Sequence, residues 1–166
     1  MLLKEFKNNF HEQLDALFGK EEVESFFFIV TEYLHNLKRV DVILNPNFEI
    51  ADIDSQKWEV IISELKTEKP IQYITGEAWF YGLRFEVNEN TLIPRPETEE
   101  LVEWIIESKK DNKSTDQLEI LDIGTGTGCI PISIKKNIPN ANVSAIDVSE
   151  KAIEVAKRNA NSNKVA

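Results

Sequence analysis

The chain has 166 residues, enough for one large domain or two small ones, and its 42% apolar content can build a real core. A formal net charge of -10 argues against a broad surface that tracks nucleic-acid phosphates. One cysteine, Cys129, excludes an internal disulfide and suits a reducing compartment. The N-terminal stretch is charged throughout and reads as neither signal peptide nor membrane span, so a cytoplasmic protein is expected.

In chain order the first elements are helical. Leu3, Phe6, Phe10, Leu14 and Leu17 recur at three- and four-residue steps and predict a helix that closes at Gly19. A second helix is expected from about Glu21 to Leu37, with Phe26, Phe27, Val30, Tyr33, Leu34 and Leu37 inward. A short apolar piece, Val40 to Leu44, stops at Asn45-Pro46. Asp54 or Ser55 is the expected cap of a helix carrying Trp58, Ile61, Ile62 and Leu65. Together these make a small helical bundle over residues 1–73.

After Pro70 the period changes. "AWFYGLRFEVNENTLI" alternates aromatic and branched residues with polar ones around Gly82, the pattern of a β-hairpin, placed as a linker over 74–93. "PRPETEELVEWIIE" predicts a helix with two prolines at its entry and Leu101, Val102, Trp104 and Ile105 on one face. "DNKSTDQ" reads as a polar loop. From Leu118 a strand, a glycine loop, a helix, a strand and a helix follow, the start of a parallel sheet, so the fold class is α/β and residues 94–166 form a second domain. Ile120, Leu121 and Ile123 are expected as a buried strand.

The loop "DIGTGTG" is the place where chemistry is expected. Gly124, Gly126 and Gly128 permit positive φ and let backbone approach a ligand. The helix after them presents free N–H groups to polar or anionic ligand atoms. Asp147, nineteen residues past Gly128 at the end of the next strand, can accept hydrogen bonds from both ribose hydroxyls of an adenosine-type cofactor. The alternative is a purely structural turn. The dinucleotide pattern G-x-G-x-x-G would need glycine where Cys129 stands.

The spacing of Asp122, Gly124, Gly126 and Gly128 resembles motif I of the class I S-adenosylmethionine-dependent methyltransferases. "PIQYITGEAWFYGLRFEVNENTLIPRPETEELVEWI" followed by "ILDIGTGTGCIPISI" resembles the HemK/PrmC family, protein-(glutamine-N(5)) methyltransferases of peptide chain release factors. The resemblance implies a Rossmann-like catalytic domain, S-adenosylmethionine as cofactor and release factors as partners, with no membrane and no direct nucleic-acid binding. It implies that Asp122, Gly124, Thr125, Gly126, Thr127 and Gly128 wrap the methionine and ribose portion. It further implies that Asp147 holds the ribose hydroxyls and Val148 flanks the adenine. Arg95, Glu97 and Thr98, in "IPRPETE", are implied near the substrate pocket, and the helical domain in recognition of the release factor.

The family aligns the poorly nucleophilic glutamine amide with an Asn-Pro-Pro-Tyr motif, which does not occur here, so no catalytic residue is assigned in this chain. The 166 residues are therefore expected to be the front part of a longer enzyme, inactive alone, with a sheet edge and face left exposed. Two other readings stay open: a related methyltransferase acting on another protein or a nucleic acid, and a non-catalytic release-factor-binding module. His11 and His35 lack ligand spacing for a metal, and Cys129 reads as packing rather than nucleophile.

Overall fold

The computed structural model describes residues 2–111 and 118–165. The polar loop expected over 111–117 falls, past Asp111, outside the described residues. The chain divides into two compact units, Met1–Thr75 and Gly76–Ala166.

The first unit is all helical: α1 (Leu3–Phe18), α2 (Lys20–His35), α3 (Arg39–Leu44), α4 (Asp52–Leu65) and α5 (Ile71–Thr75). Its core is aromatic. Trp58 is fully buried, 5.5 Å from Phe6, 5.8 Å from Phe10 and 5.4 Å from Phe27, ring centre to ring centre. Burial of one such side chain contributes about 2–3 kcal/mol, so this quartet dominates the unit.

Four expectations shift by a few positions along the chain. Leu17 is 54% exposed while Phe18 packs on the core, because Phe18 lies four residues past Leu14 and stays on the stripe. Tyr33 is 47% exposed, and Thr31 takes the inward place beside Phe27 and Val30. Helix α2 ends at His35, with Asn36 at φ 54° as its left-handed cap, so Leu37 lies beyond it. Helix α4 starts earlier than expected, with Ala51 before its first residue. Asp54 sits inside the first turn and its carboxylate pairs with Lys57 at 2.7 Å instead of capping.

The second unit is α/β. Strands β1 (Glu77–Phe80) and β2 (Leu83–Glu86) pair antiparallel, Phe80 opposite Leu83. The two-residue turn, Tyr81 and Gly82, has positive φ at both positions (49° and 73°), as a type I′ hairpin requires. The hairpin belongs to the same unit as α6 (Glu97–Asp111), β3 (Glu119–Ile123), α7 (Cys129–Asn137), β4 (Asn142–Ile146) and α8 (Glu150–Ser162). Strands β3 and β4 run parallel, Ile120 beside Val143 and Ile123 beside Ile146.

A core of Phe80, Phe85, Val102, Ile106, Ile132 and Ile134 joins hairpin, α6 and α7. The face of α6 differs from the expected one: Val102 and Ile106 are buried, Ile105 half-buried, and Leu101 and Trp104 are exposed. The sheet also differs. Ile120 is half-buried, but Leu121 and Ile123 are 55% and 74% exposed, because among the described residues helices cover only one face and side chains alternate. None of the described helices is long and apolar enough to cross a membrane.

Candidate functional site

The glycine loop starts where β3 leaves the sheet. Gly124, Gly126 and Gly128 all take positive φ (81°, 54° and 78°), so the backbone reverses without side chains in the way. The Ile146 carbonyl, at the end of β4, accepts from Gly124 N–H at 2.9 Å and Thr125 N–H at 3.0 Å. Gly128 N–H closes the loop on the Thr125 carbonyl at 2.8 Å, and helix α7 then begins at Cys129. The loop is thus pinned to the parallel pair at one end and to the helix at the other.

Asp147 follows β4 directly and is drawn into the loop. Its Oδ2 accepts Gly126 N–H at 2.8 Å, and its Oδ1 accepts Ser149 N–H at 2.9 Å. The Ser149 hydroxyl accepts Ala152 N–H and caps α8, so the helix start fixes the carboxylate. The backbone donors of Ser149 and Gly126 hold the Asp147 carboxyl below the usual carboxylate range. Val148, next to it, is fully exposed.

Two buried polar atoms here have no partner among the described residues: Asp122 Oδ2 and Thr125 Oγ1. Thr125 and Thr127 are both buried, at 6% and 2% exposure. Unpaired buried oxygens of this kind await a donor. A cleft of about 250 Å³ runs between α7, β4 and α8; Thr125 is in its wall, whereas Gly126, Asp147 and Val148 are not. Cys129 is buried and burial pushes its thiol pKa up, which disfavours the thiolate.

The described hydrogen bonds therefore bring Asp147, Gly124, Thr125, Gly126 and Gly128 into one cluster, with Asp122 at its base. They do not link Arg95, Glu97 or Thr98 to the loop. Arg95 and Glu97 are exposed, and Thr98 N–H donates to the Arg95 carbonyl at 3.0 Å in the first turn of α6.

Asn159 escapes sequence reasoning. It is 1% exposed, and its Nδ2 donates to the Thr127 carbonyl at 2.9 Å. The available signal was an amide at the apolar spacing of Ala152 and Val155, where helical period puts it inward. His11 also has company that the linear pattern hid: Asp15 at 2.7 Å and Glu24 at 2.9 Å, the latter also paired with Lys7.

Two family models match the chain. Residues 103–166 fit the methyltransferase small domain, and residues 11–76 fit the PrmC N-terminal domain. The chain is 54% identical over 165 residues to the release factor glutamine methyltransferase of Flavobacterium psychrophilum, an alignment covering 99% of this chain and 58% of that protein. It is 42% identical over 161 residues to the enzyme of the same name from Streptococcus pneumoniae, covering 96% and 55%. The corresponding protein of Bacteroides thetaiotaomicron is 37% identical over 148 residues, covering 89% and 51%. The chain thus spans somewhat more than half the length of these relatives.

Proposed function

The chain belongs to the HemK/PrmC family of release factor glutamine methyltransferases, and from that membership we propose a function for the whole protein. It transfers a methyl group from S-adenosylmethionine to the side-chain amide nitrogen of the glutamine in the Gly-Gly-Gln motif of peptide chain release factors. The helical unit serves in recognition of the release factor, and the glycine loop with Asp147 holds the cofactor.

The observation that carries the cofactor reading is the closure of the loop on Asp147. A carboxylate has about four acceptor positions, and two are used by Gly126 and Ser149. One remains on each oxygen, which suits a vicinal pair of ribose hydroxyls. Asp122 Oδ2 and Thr125 Oγ1 are acceptors for donors on the methionyl portion, and Thr127 lines the loop between two glycines. Val148 offers its exposed aliphatic surface to the adenine. When bound, S-adenosylmethionine supplies a methyl group activated by its sulfonium. Arg95, just ahead of α6, and Glu97 and Thr98, in its first turn, are proposed to border the substrate pocket.

Titration of S-adenosylmethionine into this chain, followed by calorimetry, tests the cofactor reading. Asp147→Ala removes two charge-assisted hydrogen bonds and should weaken binding by roughly tenfold or more. Equal affinity in the variant would overturn the assignment of Asp147. The reaction itself is read by mass spectrometry of a release factor incubated with the full-length protein: one added methyl on the glutamine is expected, and an unmodified glutamine counts against the proposal.

A further inference from the structure

We infer that the β1–β2 hairpin is a positioning strap for the glycine loop, acting through Asn159; the inference rests on the cofactor reading above. Asn159 Oδ1 accepts Glu86 N–H at 2.7 Å, while Nδ2 donates to the Glu86 carbonyl at 3.0 Å and to the Thr127 carbonyl at 2.9 Å. One buried carboxamide therefore joins the edge of β2 to the loop residue between Gly126 and Gly128. Only a group that accepts once and donates twice can serve all three atoms. Leucine keeps the volume and orphans every one of them; an ionised aspartate opposes both carbonyls with like charge.

The other features of the hairpin agree with a strap. At its turn, Tyr81 N–H donates to Glu99 Oε1 at 2.9 Å and Tyr81 Oη to Glu103 Oε2 at 3.2 Å, which fixes it to α6 just past Arg95, Glu97 and Thr98. Along β2, Arg158 grips Glu86 at 2.8 and 2.7 Å, and Asn163 Nδ2 donates to the Arg84 carbonyl at 3.0 Å. The loop is thus held on two sides, by Asp147 at Gly126 and by Asn159 at Thr127. A ligand that orders the loop must also order β2. Asn159 is a positioning residue, since its amide is already spent on protein atoms.

The test is hydrogen exchange of this chain with and without saturating S-adenosylmethionine, in the wild type, Asn159→Leu and Asn159→Asp. In the wild type the cofactor should slow exchange in both the loop and β2 by about threefold or more. In the variants the loop should still respond while β2 no longer does, and cofactor affinity should fall about tenfold. A wild-type β2 that ignores the cofactor while the loop responds overturns the strap, and so does a variant β2 that still responds. A wild-type loop that does not respond overturns the cofactor reading, and the strap with it. The wild-type comparison needs no variant to fold.

Discussion

Gly128 and Gly124 share a positive φ, 78° and 81°, but differ in their surroundings. A Cβ on Gly128 would lie 2.9 Å from Ile132 Cδ1 and 3.2 Å from Ala156 Cβ, whereas one on Gly124 meets nothing within 4 Å. Gly124→Ala carries only the strain of positive φ, about 1 kcal/mol. Gly128→Ala adds crowding against Ala156 Cβ, which cannot swing aside, and displaces Ile132 Cδ1, which must turn away, and should cost about 2–3 kcal/mol. Urea unfolding of both variants checks the order; equal losses would mean that α7 and α8 yield at this point. The chain advertises both glycines equally, because a linear pattern records a residue that is missing a side chain and not what would fill the space. Asp147 was legible for the opposite reason: its position relative to the strand and the loop is a spacing, and spacing is written in the sequence.

Helix α4 meets α2 through one polar contact in an aromatic core, Trp58 Nε1–H donating to His35 Nε2 at 3.0 Å, with the two rings stacked at 6.1 Å. The bond requires an unprotonated ring nitrogen. Burial lowers the His35 pKa from its ordinary 6.5, against the pull of Asp54, with Lys57 adding to the drop. A base whose folded pKa is lowered contributes stability in full above the unfolded value and loses it as pH falls through the folded one. The helical unit should therefore weaken as pH drops below about 6.5, and His35→Gln should flatten that dependence. Thermal melts at pH 7.5, 6.5 and 5.5, followed by circular dichroism, give the comparison; an unchanged slope in the variant would remove His35 as the cause.

Element identities were readable from periodicity alone: helices α1, α2 and α4, the hairpin and the strand–loop–helix all lie where their apolar spacing put them. The errors fall on faces and ends. Leu17, Tyr33 and Trp104 lost their inward places to neighbours one or two positions away, since a stripe is set by the partner that covers it and the chain does not name the partner. The expected cap of α4 failed because the helix begins earlier: Asp54 is its third residue, and its carboxylate pairs with Lys57.

At the scale of the molecule the two units differ in how they are held together. The helical unit packs α1 on α2 and α4 around Trp58, and none of that requires residues past Thr75. Residues 1–75 produced alone should keep their helical spectrum and unfold cooperatively; a non-cooperative melt would show that the unit depends on the rest of the chain. The second unit has no such economy. Its candidate site was legible as a motif over Asp122 to Gly128 with Asp147, whereas the hairpin's part in it was not, because Glu86 and Asn159 stand 73 residues apart and no local pattern marks them as neighbours.

That distance bears on the order of events during synthesis. The bonds that seat β2 join Glu86 to Arg158 and Arg84 to Asn163, across 72 and 79 positions. Loop-closure entropy over such spans delays these contacts until the intervening elements exist. A ribosome therefore releases a helical unit able to fold at once, followed by a hairpin whose turn can dock on α6 while β2 waits for α8. The segment made first in the second unit is thus secured in two stages, its β2 side only when α8 is complete, and the bond at Thr127 waits for the same helix to supply Asn159.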